Sequence, residues 1–218
     1  MIEERIEGSN NSRRISIVIG VFFVILVGFI IFASLTYNKG TFTGMHIYES
    51  PRGEKFTLVE NKAGDIKVYE LQINAERYGV GHLYQIPLRN LPEDVKIISL
   101  NSKEVKKILN AGGIFITFDP NLKAYASIGA IELAGVLGTA DFGVFKIPTQ
   151  GAFTEKIDSD YPVKTCEDAK DGVIVINLVL GDENKVYSKG DCIIVEGDSY
   201  DNLIKSSERL VYGLFGVL

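Results

Sequence analysis

Hydrophobic positions follow three different patterns along this chain. The first is an unbroken run, Ile15 to Tyr37, of 23 residues without a charge. As a helix it would reach about 34 Å, enough to cross a bilayer core. It is apolar on every face, which a soluble domain would have to enclose completely. The run is longer than the roughly 7 to 15 apolar residues of a cleaved signal peptide, and Ile31-Phe32-Ala33 is a poor small-x-small cleavage site. We therefore expect a transmembrane signal-anchor helix over residues 15–37, with lipid as its partner. Arg13-Arg14 stands directly before it and only Lys39 stands close behind. That asymmetry predicts a single-pass protein of the cell membrane, with residues 1–14 as a cytoplasmic tail and the C-terminal domain outside.

The second pattern has period two. After a short linker, residues 38–44, the runs Asp65–Ile73 and, beyond the turn residues Tyr78-Gly79, Val80–Leu88 alternate, and Phe56–Glu60 between turn residues predicts another strand. Residues 45–91 are thus expected to be strand-rich and antiparallel. The third pattern, over residues 92–218, alternates strand and helix. Strands are predicted at Val95–Leu100, Ile114–Phe118, Val144–Ile147, Val173–Leu180 and Cys192–Glu196. A helix is predicted from Ser102 to Asn110, started by a capping box at Asn101–Glu104 and stopped at Gly112-Gly113. Another runs from Lys123 to Leu137 and is nearly all apolar, which predicts deep burial. In the last helix Leu203, Ile204, Ser207, Leu210, Val211, Leu214 and Phe215 share one stripe, while Lys205, Glu208 and Arg209 lie off it; Asp198-Ser199 supplies the cap. The expected fold class is mixed α/β, an extracytoplasmic domain over residues 45–218 whose βαβ-type sheet is covered by helices.

Composition narrows the chemistry. Of 218 residues 46% are hydrophobic and 23% charged, the balance of a folded protein. Two histidines, two cysteines and no tryptophan leave little material for zinc, iron–sulfur or haem sites, so no metal and no cofactor is expected. The first 14 residues carry three positive and three negative side chains, so the chain beyond the span holds the whole net charge of −5. Such a domain repels phosphate backbones on average, and no nucleic-acid partner is expected. No Walker loop, dinucleotide fingerprint or nucleophile-elbow motif occurs.

Two features remain. Cys166 and Cys192 would form a disulfide in an outward-facing domain, worth about 3 to 3.5 kcal/mol on a loop-entropy argument; the alternative is two unpaired thiols. Asp119-Pro120-Asn121 stands where a buried strand ends and a helix begins, the edge at which open α/β sheets meet ligands. Asp119 there is a candidate cation ligand or catalytic base, or simply a helix cap ahead of a first-turn proline. Thr154-Glu155, after the turn-like Thr149-Gln150-Gly151, is expected on a neighbouring loop at the same edge. Asp119 and Glu155 are thus the candidate catalytic carboxylates, with Asp119, Asn121 and Thr154 as candidate ligand-binding residues. The turn Gly181–Asn184 lacks calcium-loop spacing and is expected to be a solvated hairpin turn.

From about Thr117 onward the chain resembles the outer domains of uncharacterised single-span archaeal cell-envelope proteins. The likeness is carried by Phe118-Asp119-Pro120-Asn121, Gly151-Ala152-Phe153-Thr154-Glu155, Thr165-Cys166-Glu167-Asp168-Ala169, and Ile194-Val195-Glu196-Gly197 through Leu210-Val211. It covers less than half the chain and implies an archaeal envelope setting, with no catalytic residues. The leading expectation is a non-enzymatic, membrane-anchored binding or assembly module with a protein partner in the envelope or membrane. The alternatives are a tethered hydrolase or metal-dependent enzyme using Asp119, Asn121 and Glu155, and an accessory subunit of a membrane complex.

Overall fold

A computed structural model describes residues 41–77, 80–139, 143–157 and 160–218. The predicted span and cytoplasmic tail, and the turn at Tyr78-Gly79, lie outside the described residues. Among the described residues no helix is long and apolar enough to cross a membrane. The described residues form a mixed α/β fold with one antiparallel sheet, one mixed sheet and four helices.

The period-two segments pair in sequence order as β1 (Thr41–Glu49), β2 (Lys55–Ala63), β3 (Ile66–Arg77) and β4 (Val80–Leu88). β1 begins inside the stretch expected to be a linker. Registers such as Leu58 with Leu71 and Leu71 with Ile86 bring the inward side chains onto one face, as the pleat requires.

The second half builds α1 (Pro92–Val95), β5 (Ser99–Leu100), α2 (Ser102–Leu109), β6 (Gly113–Phe118), α3 (Lys123–Leu137), β7 (Thr149–Phe153), β8 (Val173–Leu180), β9 (Lys185–Lys189), β10 (Cys192–Gly197) and α4 (Tyr200–Leu214). The sheet order is β5-β9-β10-β8-β6-β7. β7, β6, β8 and β10 run parallel, while β9 is antiparallel to β10.

Three predicted elements differ. Val95–Leu100 is mostly not strand, because Leu91 and Pro92 open the short α1, Asp94 accepting the Leu91 amide at 3.0 Å. Val144–Ile147 is not a strand. Its amides go to the exposed carbonyls at the end of α3, Val144 N to Val136 O at 2.9 Å and Ile147 N to Leu137 O at 2.8 Å, so its apolar side chains cover a helix end instead of joining a ladder. Thr149–Gly151, which reads as a turn, is the start of β7.

One continuous core joins Leu58, Leu71 and Leu88 of the antiparallel sheet to Leu133 of α3, Leu203 and Leu210 of α4, and Ile116, Ile176 and Ile193 of the mixed sheet. α4 is covered from both sides. Ser206 Oγ donates to Glu196 O at 2.7 Å on the mixed-sheet side, and Tyr212 donates to Asn90 O at 2.7 Å beyond β4. Hence Glu208 and Arg209, though off the apolar stripe, are 0% and 9% exposed. α3 is less buried than its composition predicts: Tyr125 and Ile131 are exposed.

The other face of the mixed sheet is covered by the segment between β7 and β8. Cys166 and Cys192 form a disulfide. It fastens a short 3₁₀ turn, Cys166–Asp168, over Val175 and Ile194. Thr117 Oγ1 donates to Lys164 O at 2.8 Å, and the Lys164 ammonium lies 4.9 Å from the Phe115 ring centre.

Candidate functional site

The parallel register of β6 with β7 sets Phe118 opposite Phe153, so Asp119 and Thr154 leave the sheet at the same level. Thr154 N donates to Phe118 O at 3.1 Å and holds the two exits together. Asp119 Oδ1 accepts from Asn121 N at 2.8 Å and from Asn121 Nδ2 at 2.9 Å. The same Nδ2 lies 3.4 Å from Glu155 Oε1. The fold thus brings together Asp119, Asn121, Thr154 and Glu155, with the Asn121 amide bridging both carboxylates. Asp119 also closes the 3₁₀ turn Pro120–Leu122 that leads into α3. All three bridging side chains are exposed, so solvent screens their charges. Asp119 and Glu155 offer two carboxylates to a cation. Among the described residues no group of three or more His, Cys, Asp or Glu side chains converges as a metal site.

Phe118 and Phe153, which directly precede Asp119 and Thr154, line an apolar groove of about 400 Å³ between α3 and β7, with Tyr161 across it. The rings of Phe118 and Phe153 meet edge to face at 5.2 Å.

The turn Gly181–Asn184 lies at the same carboxyl edge of the sheet and is tied down internally. Asp182 N and Glu183 N donate to Glu196 Oε1 at 3.1 and 3.3 Å, and Asn184 Nδ2 donates to Asp198 Oδ2 at 3.0 Å. Asp198 also accepts from Asn202 Nδ2 at 2.6 Å, and these donors hold its carboxyl below the usual range. His46 is spent on Glu60 at 2.9 Å, and His82 packs edge to face on Tyr84. The donors on Glu60, His46 first and Lys67 second, lower its pKa to about 2.

Two clusters escape the sequence patterns. The first is a pair of buried carboxyls. Glu208 accepts the amides of Arg89 and Asn90 and the Asn90 side-chain amide. Glu132, on α3, has Arg89 Nε at 3.9 Å and an enclosed Oε2 without a hydrogen-bond partner. Burial first, and the negative charge of Glu208 second, push Glu132 up to about 9; burial raises Glu208 to about 7 against the pull of its donors. Of the two, Glu208 gives up its proton first and Glu132 keeps its own to higher pH. Glu132 borders a cavity of about 310 Å³ against the free edge of β4.

The second is a cavity of about 480 Å³ along α2, walled by the β1–β2 turn, α2 and the end of α4. Arg52, Lys106 and Arg209 line it. In sequence these three cations look unrelated, and only the fold collects them. Searches against protein-family models, curated proteins and solved structures each found no match.

Proposed function

We propose that the chain is a membrane-anchored, extracytoplasmic binding or assembly module of the cell envelope, held by Ile15 to Tyr37 and acting without catalysis. The observation that carries this reading is the Cys166–Cys192 disulfide in a domain that follows 23 uncharged residues. Disulfides persist in oxidising compartments, and Arg13-Arg14 favours an outward C-terminal domain. The likeness to single-span archaeal envelope proteins supports the same setting, with a protein partner there. Protease added to intact cells should cut the C-terminal domain. Full protection in intact cells, with ready cleavage after lysis, would put the domain on the other side. Alkylation without reductant should leave Cys166 and Cys192 unlabelled.

The tethered-enzyme reading draws on one observation, the bridging of Asp119 and Glu155 by Asn121. It predicts that the pair binds Mg²⁺, Mn²⁺ or Ca²⁺ and that Asp119→Asn with Glu155→Gln abolishes the binding. Calorimetry that detects no such binding removes this reading. An accessory-subunit role would use the exposed apolar residues Tyr125 and Ile131 of α3 and predicts a companion that co-purifies from native membranes.

A further inference from the structure

The cavity at α2 is lined by three cationic side chains and, among its described lining residues, by no acidic one. Arg209 is 9% exposed. Its Nε donates to Ile98 O at 3.1 Å, while Nη1 is enclosed and has no hydrogen-bond partner. A buried guanidinium edge left unmatched is costly unless an acceptor reaches it. Gly213 lets Leu100 and the Arg209 guanidinium pack closely on the wall beside it. A Cβ there would sit 2.4 Å from Leu100 Cδ2 and 3.5 Å from Arg209 Nη1. Arg52, on the β1–β2 turn, and Lys106, on α2, are exposed at the same cavity, and no ion pair engages either among the described residues. The guanidinium of Arg52 lies close over Gly216, 3.9 Å from where its Cβ would be.

Apart from Ser102, the rest of the lining offers no polar side chain and is chiefly Leu100, Val105, Leu214 and Phe215. A bare inorganic anion would leave that surface unused. The volume falls in the ~300–1,000 Å³ range of small-molecule sites, too small for a folded partner. We propose that this cavity binds a small amphipathic anion, a phosphate or carboxylate that carries a short apolar chain. The head is matched by Arg209, Arg52 and Lys106, and the chain by the leucine and phenylalanine wall. This rests on the binding-module reading and names the chemistry of its ligand.

The test is calorimetric titration of the full chain in zwitterionic nanodiscs with hexyl phosphate and hexanoate. At least one should bind, inorganic phosphate should bind roughly tenfold or more weakly, and hexanol should not bind. Arg52→Ser with Lys106→Ala, both exposed, should weaken binding by about tenfold and preserve the unfolding midpoint. Arg209→Met should weaken it further; if that variant does not fold, the surface pair decides. Two anion sources separate in a second arm with anionic-lipid nanodiscs. Loss of the hexyl phosphate signal there identifies a lipid headgroup as the source, and an unchanged signal identifies a free ligand. The proposal is overturned if neither amphiphile binds, if inorganic phosphate binds as tightly, or if the Arg52 and Lys106 double variant binds unchanged. The titration is blind to membrane side, so a negative result beside external protease cleavage removes the ligand and leaves the placement standing. Protection from protease beside positive binding does the reverse.

Discussion

Glu132 and Glu208 lie in the layer between the two sheets, and their different surroundings divide one proton between them. Three N–H donors converge on Glu208, as an ionised carboxylate requires. Glu132 has a single distant cation. Both pKa values are raised from the ordinary 4.5. A carboxyl raised in this way helps the folded state at low pH, and that help is lost as pH climbs from the unfolded value through the folded one. Stability should therefore fall between about pH 5 and about pH 9 on account of this pair. Glu132→Gln should flatten that slope. The variant and the parent should nearly coincide at about pH 5, and the variant should be more stable by about 2 kcal/mol or more near pH 9, read by chemical denaturation at each pH. Parallel profiles would mean that Glu132 is already ionised or solvated. The sequence singles out Glu132 as a rare charge on an apolar helix, but nothing in it places Glu208 opposite, because that proximity is made by the crossing of α3 and α4.

At the scale of elements, α4 shows what periodicity can and cannot report. Its apolar stripe correctly marks the face turned to the mixed sheet, with Leu203, Leu210 and Leu214 buried. A stripe says nothing about a second layer. The segment from Arg89 to Ile98, which contains α1, covers another face as well, and there Glu208 and Arg209 are matched to backbone groups at Arg89, Asn90 and Ile98. Val144–Ile147 was legible as buried but not as a helix cover, since a short apolar run reads alike in either role. The seating of α4 depends on two glycines, Gly129 of α3 and Gly197 at the end of β10. At Gly129 a Cβ would meet Ser207 Oγ at 2.4 Å and Ser207 Cβ at 2.9 Å. At Gly197 it would meet the backbone of the next helix, Leu203 N at 2.3 Å and Leu203 Cα at 2.5 Å. A backbone atom cannot rotate away. Gly197→Ala should therefore cost about 2 to 3 kcal/mol and Gly129→Ala about 1 to 2 kcal/mol, compared by denaturant midpoints at equal m-value. Equal costs would show that the α4 N-terminus shifts freely.

In the whole molecule, the two faces of the mixed sheet are protected by different means. One face is packed by helices and by the antiparallel sheet, and its side chains join a single core. The other, among the described residues, has only the segment between β7 and β8, held by the disulfide, by the Thr117–Lys164 hydrogen bond and by Lys164 against Phe115. The carboxylates Asp119 and Glu155 stand where this segment leaves β7. The sequence locates each at a strand end, but only the β6–β7 register makes them neighbours. Removing the bridge with Cys166→Ala and Cys192→Ala opens a loop set by a sequence separation of 26 residues, which on the chain-entropy account should lower global stability by about 3.5 kcal/mol. The local effect should be uneven. Amides of β8 and β10 remain in the ladder and should keep their hydrogen-exchange protection relative to the new global stability, whereas Asp168 N and Ala169 N, bonded to Thr165 O and Cys166 O, should exchange by local opening. Loss of protection in α4 at the same low free energy would instead mean that both faces open together. The helix layer would then depend on the covered face, and the bridge would secure the whole domain, including the carboxyl edge and the cationic cavity at α2.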